Sequence, residues 1–242
     1  MTLVHDVDSK IHHLGAGEPN QLLRVANTIA DRFQHLDTTA WLVSSSTRRA
    51  RIMQGNVSMW AKHALDYGEV HLATHSVLGT GPQAALVSHA AAIWLHYDRA
   101  DGSPPPLPVR YRERLAADCG RYAHAFAQLD EMLDKHHPAD RGPHHYLAFL
   151  AAARSGHGHG SALLSHHLSF LDARELGAYL VAADARSRDL YARFGFEVLH
   201  PALELPHADG RGPAHVMYPM WRDPQPPQPQ PDHDEPDRSH RA

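Results

Sequence analysis

Glycines stand at alternate positions in Ser155-Gly156-His157-Gly158-His159-Gly160-Ser161, between an apolar stretch and a segment of helical period. Such spacing lets the backbone approach a ligand closely and turns successive N–H groups into one concavity. A helix that begins where the loop ends adds its positive N-terminal end, a combination that suits phosphate oxygens. A tight turn without a ligand would use the same residues, so the loop alone does not decide. Two nucleotide loops are excluded. No lysine follows the glycines as a Walker loop requires, and Ser161 stands where the dinucleotide fingerprint needs its last glycine.

Histidine is the second source of chemistry. The chain has 23, as many as its lysines and arginines together. Four pairs occur: His12-His13, His136-His137, His144-His145 and His166-His167. The first lies in a polar opening stretch. The third precedes a strand, so its members should point to opposite faces. His166 and His167 are about 100° apart on a helix, a poor arrangement for sharing an ion. No HExxH, no HxH with a downstream acid and no Cys/His knuckle is present. His157-x-His159 is the nearest thing to a ligand pair, and it lies inside the proposed phosphate loop. No metal is expected.

The elements that must carry these groups alternate. Residues 1–17 read as a flexible N-terminal tail. Glu18-Pro19-Asn20 opens a helix with Leu22, Ala26, Ile29 and Phe33 on one face. Thr39–Val43 is a short buried strap or helix start, and Val57–Leu65 a short helix ending near Gly68. Strands are expected over Glu69–Thr74 and Ala84–Tyr97, around a Gly79–Pro82 turn. After the run Pro104–Pro108, one long helix carries Leu115, Cys119, Tyr122, Phe126, Leu129 and Leu133 on a single stripe, which makes Cys119 a packed thiol. Tyr146–Ala152 is a strand leading into the glycine loop, followed by a helix with Leu164, Leu168 and Leu171 on one face. Then come a strand over Ala178–Ala183, a short helix over Arg186–Phe194, and closing strands over Phe196–Leu205 and Ala214–Trp221. Helices mixed with strands imply an α/β (α+β) sheet covered by helices. Residues 223–242, rich in proline and nearly without apolar side chains, read as a disordered C-terminal tail.

Two segments in register resemble a known family. Gly156-x-Gly158-x-Gly160-Ser161-Ala162-Leu163-Leu164 resembles the pyrophosphate loop of the GNAT acyl-CoA N-acyltransferases. Ser187-Arg188-Asp189-Leu190-Tyr191-Ala192-Arg193-Phe194-Gly195-Phe196 is similar to that family's later tyrosine helix with its Gly-Phe ending. The resemblance is strongest over 144–222 and extends more loosely over 18–222, where the long helix, His136-His137-Pro138 and Tyr146-Leu147-Ala148-Phe149 are similar to the puromycin N-acetyltransferase branch. It departs where Ser155 replaces the usual Gln or Arg (Arg154 is adjacent), where the strand-to-loop connection is about two residues shorter, and where Ser187 replaces asparagine.

The resemblance implies a twisted mixed sheet flanked by helices, with acetyl-CoA in a cleft where the fourth strand splays from the fifth. It implies Tyr191 as the general acid for the leaving thiolate. Phe149, Leu150 and Ala151 would offer backbone N–H to the thioester oxygen. Arg154, Ser155, Gly156, His157, Gly158, His159, Gly160, Ser161 and Ser187 would hold the cofactor. Arg186 and Arg188 are further phosphate or ribose contacts, or plain surface charges. The general base stays open among Glu69, His71, His89, His145, Tyr146 and a water chain.

The implied activity is acetyl transfer from acetyl-CoA to a primary amine of a small molecule, antibiotic-like or biosynthetic. The alternatives are a non-catalytic acyl-CoA-binding protein, a protein or peptide N-acetyltransferase and, more distantly, a histidine-rich metal module. A net charge of −4 gives no prior for nucleic acid, and no apolar run approaches a membrane span. The single cysteine and the absence of a basic, apolar leader fit a cytoplasmic setting. With only three lysines and abundant alanine and proline, most of the histidines read as composition, resembling a GC-rich actinobacterial chain.

Overall fold

A computed structural model describes residues 10–76, 86–138, 140–154, 156–207 and 212–226. The strands are β1 (Lys10–His13), β2 (Gly68–Ser76), β3 (Leu86–Tyr97), β4 (His144–Ala152), β5 (Gly177–Ala182), β6 (Glu197–Val198), β7 (Leu203–Pro206) and β8 (Pro213–Arg222). The helices are α1 (Pro19–Phe33), α2 (Asp37–Leu42), α3 (Ser46–Tyr67), α4 (Tyr111–Cys119), α5 (Ala123–His136), α6 (His159–Asp172) and α7 (Ala185–Ala192). One sheet runs β1-β2-β3-β4-β5-β8-β6, with β7 paired to β8. Neighbours are antiparallel except β4 and β5, which are parallel.

Side chains alternate along β3 and divide the interior in two. Ala91, Ile93, Leu95 and Tyr97 join the core under α1, α3, α4 and α5. Ala90, Ala92 and Trp94 join a second core with Leu163, Leu164, Leu168 and Leu171 of α6. The period of two thus puts two helical layers on opposite faces of one sheet.

Several sequence expectations change. Residues 10–13 are not tail but β1, an edge strand that exists only because β2 supplies its partners. The helix expected over Val57–Leu65 extends over 22 residues, Ser46–Tyr67, because its polar first half packs on its neighbours through Ile52, Met53 and Asn56. The long helix after the proline run is broken. Gly120, at φ +55, ends α4, and a single 3-10 turn leads into α5. Cys119 is buried, and burial pushes its thiol up to about 11, as a packed thiol should be. The strand expected over Phe196–Leu205 is two short ones, β6 and β7. The Gly79–Pro82 turn and residues 227–242 lie outside the described residues. No helix among those described is long and apolar enough to cross a membrane.

Candidate active site

The site begins with a disagreement between two strands. β4 and β5 pair from His144↔Gly177 to Leu147↔Leu180, and no further. Beyond that point β5 stays with β8 through Ala182↔Tyr218, while β4 stays with β3 to Ala152↔Ala90. A β-bulge sits at the parting. Ile93 pairs with Phe149 but Trp94 with Leu147, so Ala148 is the extra residue on β4. Its effect on phase is visible in the packing: Ala148 and Phe149 both face the first core, although they are adjacent.

The register also says which amides are free. Ala153 N–H donates to His89 O at 2.8 Å, so 153, 151 and 149 direct their backbone groups towards β3. Leu150 and Ala152 therefore turn theirs to the side from which β5 has departed. An unpaired strand amide at the wall of a cleft is a fixed hydrogen-bond donor.

The cleft opened by this splay has a volume of about 1690 Å³. On its β4 wall are Phe149, Leu150 and Ala151, followed by Arg154, Gly156 and Gly158 of the loop. His159, Gly160 and Ser161 of the first turn of α6 continue it. Gly156 and Gly158 have φ of +81° and +78°, conformations that favour glycine, and Gly158 caps α6 in the left-handed region. The opening amides of a helix have no intrahelical acceptor, so they face outward at the positive end of the dipole. The far wall carries Ser187 and Tyr191 of α7.

Of the residues singled out in the sequence, ten of the cofactor set and Tyr191 come together here. His157 does not line the cleft; it is exposed, with its ring 6.5 Å from that of His159. Ser155 lies outside the described residues. Ser187 acts locally. Its hydroxyl accepts from Asp184 N–H and its own N–H donates to Asp184 Oδ1 at 2.7 Å, a capping box that starts α7. Arg186 lines the cleft, whereas Arg188 pairs with Asp189 at 2.8 Å. Tyr191 packs edge-on to Phe196, with ring centroids 5.9 Å apart, and burial pushes its hydroxyl above the ordinary range, so it stays a proton donor.

The five base candidates separate by face. Only Tyr146 lines the cleft, and burial, together with Tyr179 and Tyr97 nearby, keeps it a phenol. Glu69, His71 and His145 lie on the α6 side of the sheet, and His89 stacks on His159 at 4.5 Å.

Sequence reasoning passes over a second group in the cleft. Asp130 and Asp134, one turn apart on α5, both line it, beside Tyr97, Tyr111 and His137. Burial first, and then the charge of Asp134, pushes Asp130 up to about 6, against the hydrogen bond that Tyr111 Oη donates to it at 2.7 Å. His137 Nε2 lies 2.8 Å from His144 Nε2, and His144 Nδ1 lies 2.7 Å from Gly142 O. Since a carbonyl only accepts, Nδ1 of neutral His144 holds the proton, His137 donates through Nε2, and His137 Nδ1 is left as an acceptor. Burial and neighbouring His144 lower His137 to about 3. The i,i+4 acidic pair is the one available sequence signal. The cleft is therefore polarised, with helix amides for anions on one wall and carboxylates among phenol rings on another.

No protein-family model matches the sequence, and no curated protein matches it. Solved structures do. A histone acetyltransferase HPA2 and related acetyltransferase from Corynebacterium glutamicum shares 21% identity over 90% of this chain and 98% of its own, with a TM-score of 0.56. A mosquito arylalkylamine N-acetyltransferase like 5b shares 14% over 89% and 100%, at 0.58. Arylalkylamine N-acetyltransferase 2 from Aedes aegypti shares 13% over 90% and 100%, at 0.53. The likeness is one of fold: the chain has the open, mixed sheet of the GNAT acetyltransferases, flanked by helices.

Proposed function

We propose that the protein is an acetyl-CoA-dependent N-acetyltransferase acting on a primary amine of a small molecule. The observation that carries this reading is the convergence of the unpaired β4 edge, the glycine loop at the start of α6, and Tyr191 on one cleft. The loop and first-turn amides hold pyrophosphate oxygens, with Arg154 beside them. The Leu150 amide donates to the thioester oxygen, where charge develops as the amine nitrogen attacks. Tyr191 gives its proton to the departing sulfur as the C–S bond breaks and the C–N bond forms. An ammonium acceptor loses one proton before its nitrogen can attack and a second as the amide forms; one leaves by water on the side of Asp130 and Asp134, and the other restores the phenol of Tyr191.

The acceptor enters as an ammonium attracted to that acidic pair, its carbon body against Tyr97, Tyr146 and Tyr179, all of which line the cleft. An amine with an apolar or aromatic body fits this lining, and the arylalkylamine enzymes of like fold support the same class. The sequence resemblance to the puromycin-type branch adds antibiotic-like amines to the panel. A cytoplasmic setting, where Cys119 stays a thiol, completes the reading.

Acetyl-CoA at about 100 times its Kd should stabilise the fold by about 2.7 kcal/mol, which raises Tm by about 5–10 °C in a chain of this size. No shift at saturation would remove the proposal. Thiol release across a panel of arylalkylamines, polyamines, aminonucleosides and peptide N-termini then identifies the acceptor. Turnover confined to peptides would replace the small-molecule reading.

A further inference from the structure

On the α6 side of the sheet, away from the cleft, six imidazoles crowd one carboxylate. Glu69 Oε2 lies 2.8 Å from His71 Nε2, 3.4 Å from His13 Nδ1 and 3.7 Å from His167 Nδ1. Its other oxygen, Oε1, is 3.5 Å from His96 Nε2. His145 Nδ1 meets His167 Nε2 at 2.9 Å, and His166 Nε2 meets His13 Nε2 at 3.0 Å. Among these residues, none lines the cleft, and acetyl transfer as derived above uses none of them.

We propose that His13 Nδ1, Glu69 Oε2 and His71 Nε2 form a binding site for a divalent late first-row transition-metal ion of the zinc type, with a fourth position open to solvent. The three donors lie within 4.8 Å of one another. Metal–ligand bonds of about 2.0–2.1 Å in a tetrahedral site place donors about 3.3 Å apart, and the spacings of 2.8 and 3.4 Å bracket that value.

The sheet explains why the donors converge. His13 and His71 are directly opposed on β1 and β2, and Glu69 is two residues before His71 on the same face. Their outer partners are also of the kind ligands use. The second nitrogen of His13 meets His166, and the second oxygen of Glu69 faces His96. His71 is fully buried, and its Nδ1 has no hydrogen-bond partner among the described residues. The proton now between His71 Nε2 and Glu69 can therefore shift to Nδ1 without breaking another hydrogen bond, freeing the Nε2 lone pair. His13 is 53% exposed and supplies the way in. A second set, Glu69 with His145 and His167, shares the carboxylate but is sealed, since both imidazoles are buried.

Full-length protein treated with a chelator and dialysed should bind one equivalent of Zn²⁺ by calorimetry, and Co²⁺ should give the visible band of a tetrahedral site. His13→Ala, at an exposed position that the fold tolerates, should weaken binding by about a hundredfold, with Glu69→Gln at least as severe; His96→Gln should cost about tenfold. His145→Asn and the distant His200→Ala should leave it unchanged. Weak binding spread over several equivalents and insensitive to His13→Ala would overturn the site. Loss with His145→Asn but not with His13→Ala would overturn this ligand set. Acetyl-CoA affinity, measured on the same samples, reports separately on the cleft.

Discussion

His144 and His145 are neighbours on β4, yet they serve different environments. His144 faces the first layer, hydrogen-bonded to His137 at the edge of the cleft and stacked near Tyr97. His145 faces α6, bonded to His167 and stacked on His96. On the cleft side the tuned groups are phenols and a carboxyl whose ionisation burial opposes, with Asp130 pushed up to about 6. On the histidine side the order is reversed. Burial, then neighbouring imidazoles, lower His145 to about 3 and His167 to about 2. Burial also opposes ionisation of Glu69, but hydrogen bonds from His71 and His96 outweigh it and hold the carboxyl below its ordinary range. One face is thus supplied with protons to give, and the other with lone pairs and a negative charge. A strand splayed from its neighbour makes the first; a strand fully paired and covered by α6 makes the second.

α6 serves both faces, so unfastening it tests them together. Arg222 holds its C-terminal end through Asp172, with Nη1 at 2.6 Å and Nη2 at 2.8 Å, and donates from Nε to Phe194 O at 2.8 Å. Asp172→Ala leaves a buried guanidinium without its carboxylate and should cost about 3 kcal/mol by denaturant titration. Burial of Asp172 is outweighed by Arg222 and the Gln225 amide, so its carboxyl lies below 3.8. The contribution is therefore present above pH 3.8 and lost as pH falls through the lower folded value. An Asp172→Ala variant as stable as the parent at pH 7 would remove α6 as the common anchor.

Tyr191→Phe separates the faces more cleanly. It should lower kcat by about a hundredfold or more, with acetyl-CoA affinity and Zn²⁺ binding unchanged. An undiminished kcat would show that the proton reaches sulfur by another path.

Gly158→Ala forces a side chain into the left-handed region at the α6 cap. A strain of about 1–2 kcal/mol should appear as roughly tenfold weaker acetyl-CoA binding, and again no change on the histidine face.

The smallest effect is in the pH profile. For an ammonium acceptor, kcat/KM should rise as Asp130 ionises near pH 6, and Asp130→Asn should flatten that limb. Because its folded pKa is raised, the stability linked to Asp130 is present below 3.8 and lost as pH climbs through about 6. The Asn variant should therefore be slightly less sensitive to pH over that interval, measured as Tm.

Legibility follows locality. The glycine loop, the start of α6 and the Tyr191 helix are readable from short segments because turn, cap and period are written in consecutive residues. Ser187 reads as a cofactor contact in the sequence; the structure places it on the cleft wall and adds a local role, the capping box with Asp184, which the sequence reading did not include. β1 escapes a sequence reading because four residues with a single apolar side chain, Ile11, carry no pattern of their own; they become a strand when β2 offers its edge. The first half of α3 escapes it because its charged face hides a narrow apolar one.

The sequence by itself determined most elements of the C-terminal half, though not the division of Phe196–Leu205 into β6 and β7, together with the glycine loop and the helix of the tyrosine, since each depends on neighbours within a few residues. The tertiary structure alone decided where β4 and β5 part, because a bulge and a lost pairing are properties of two strands. It also decided which histidines matter. Those of β1, β2, β3, β4 and α6 are far apart in the chain, His13 and His166 by 153 residues, and only the pairing of the sheet and the docking of α6 bring them to one carboxylate. Composition could count the imidazoles, but no local pattern could place them.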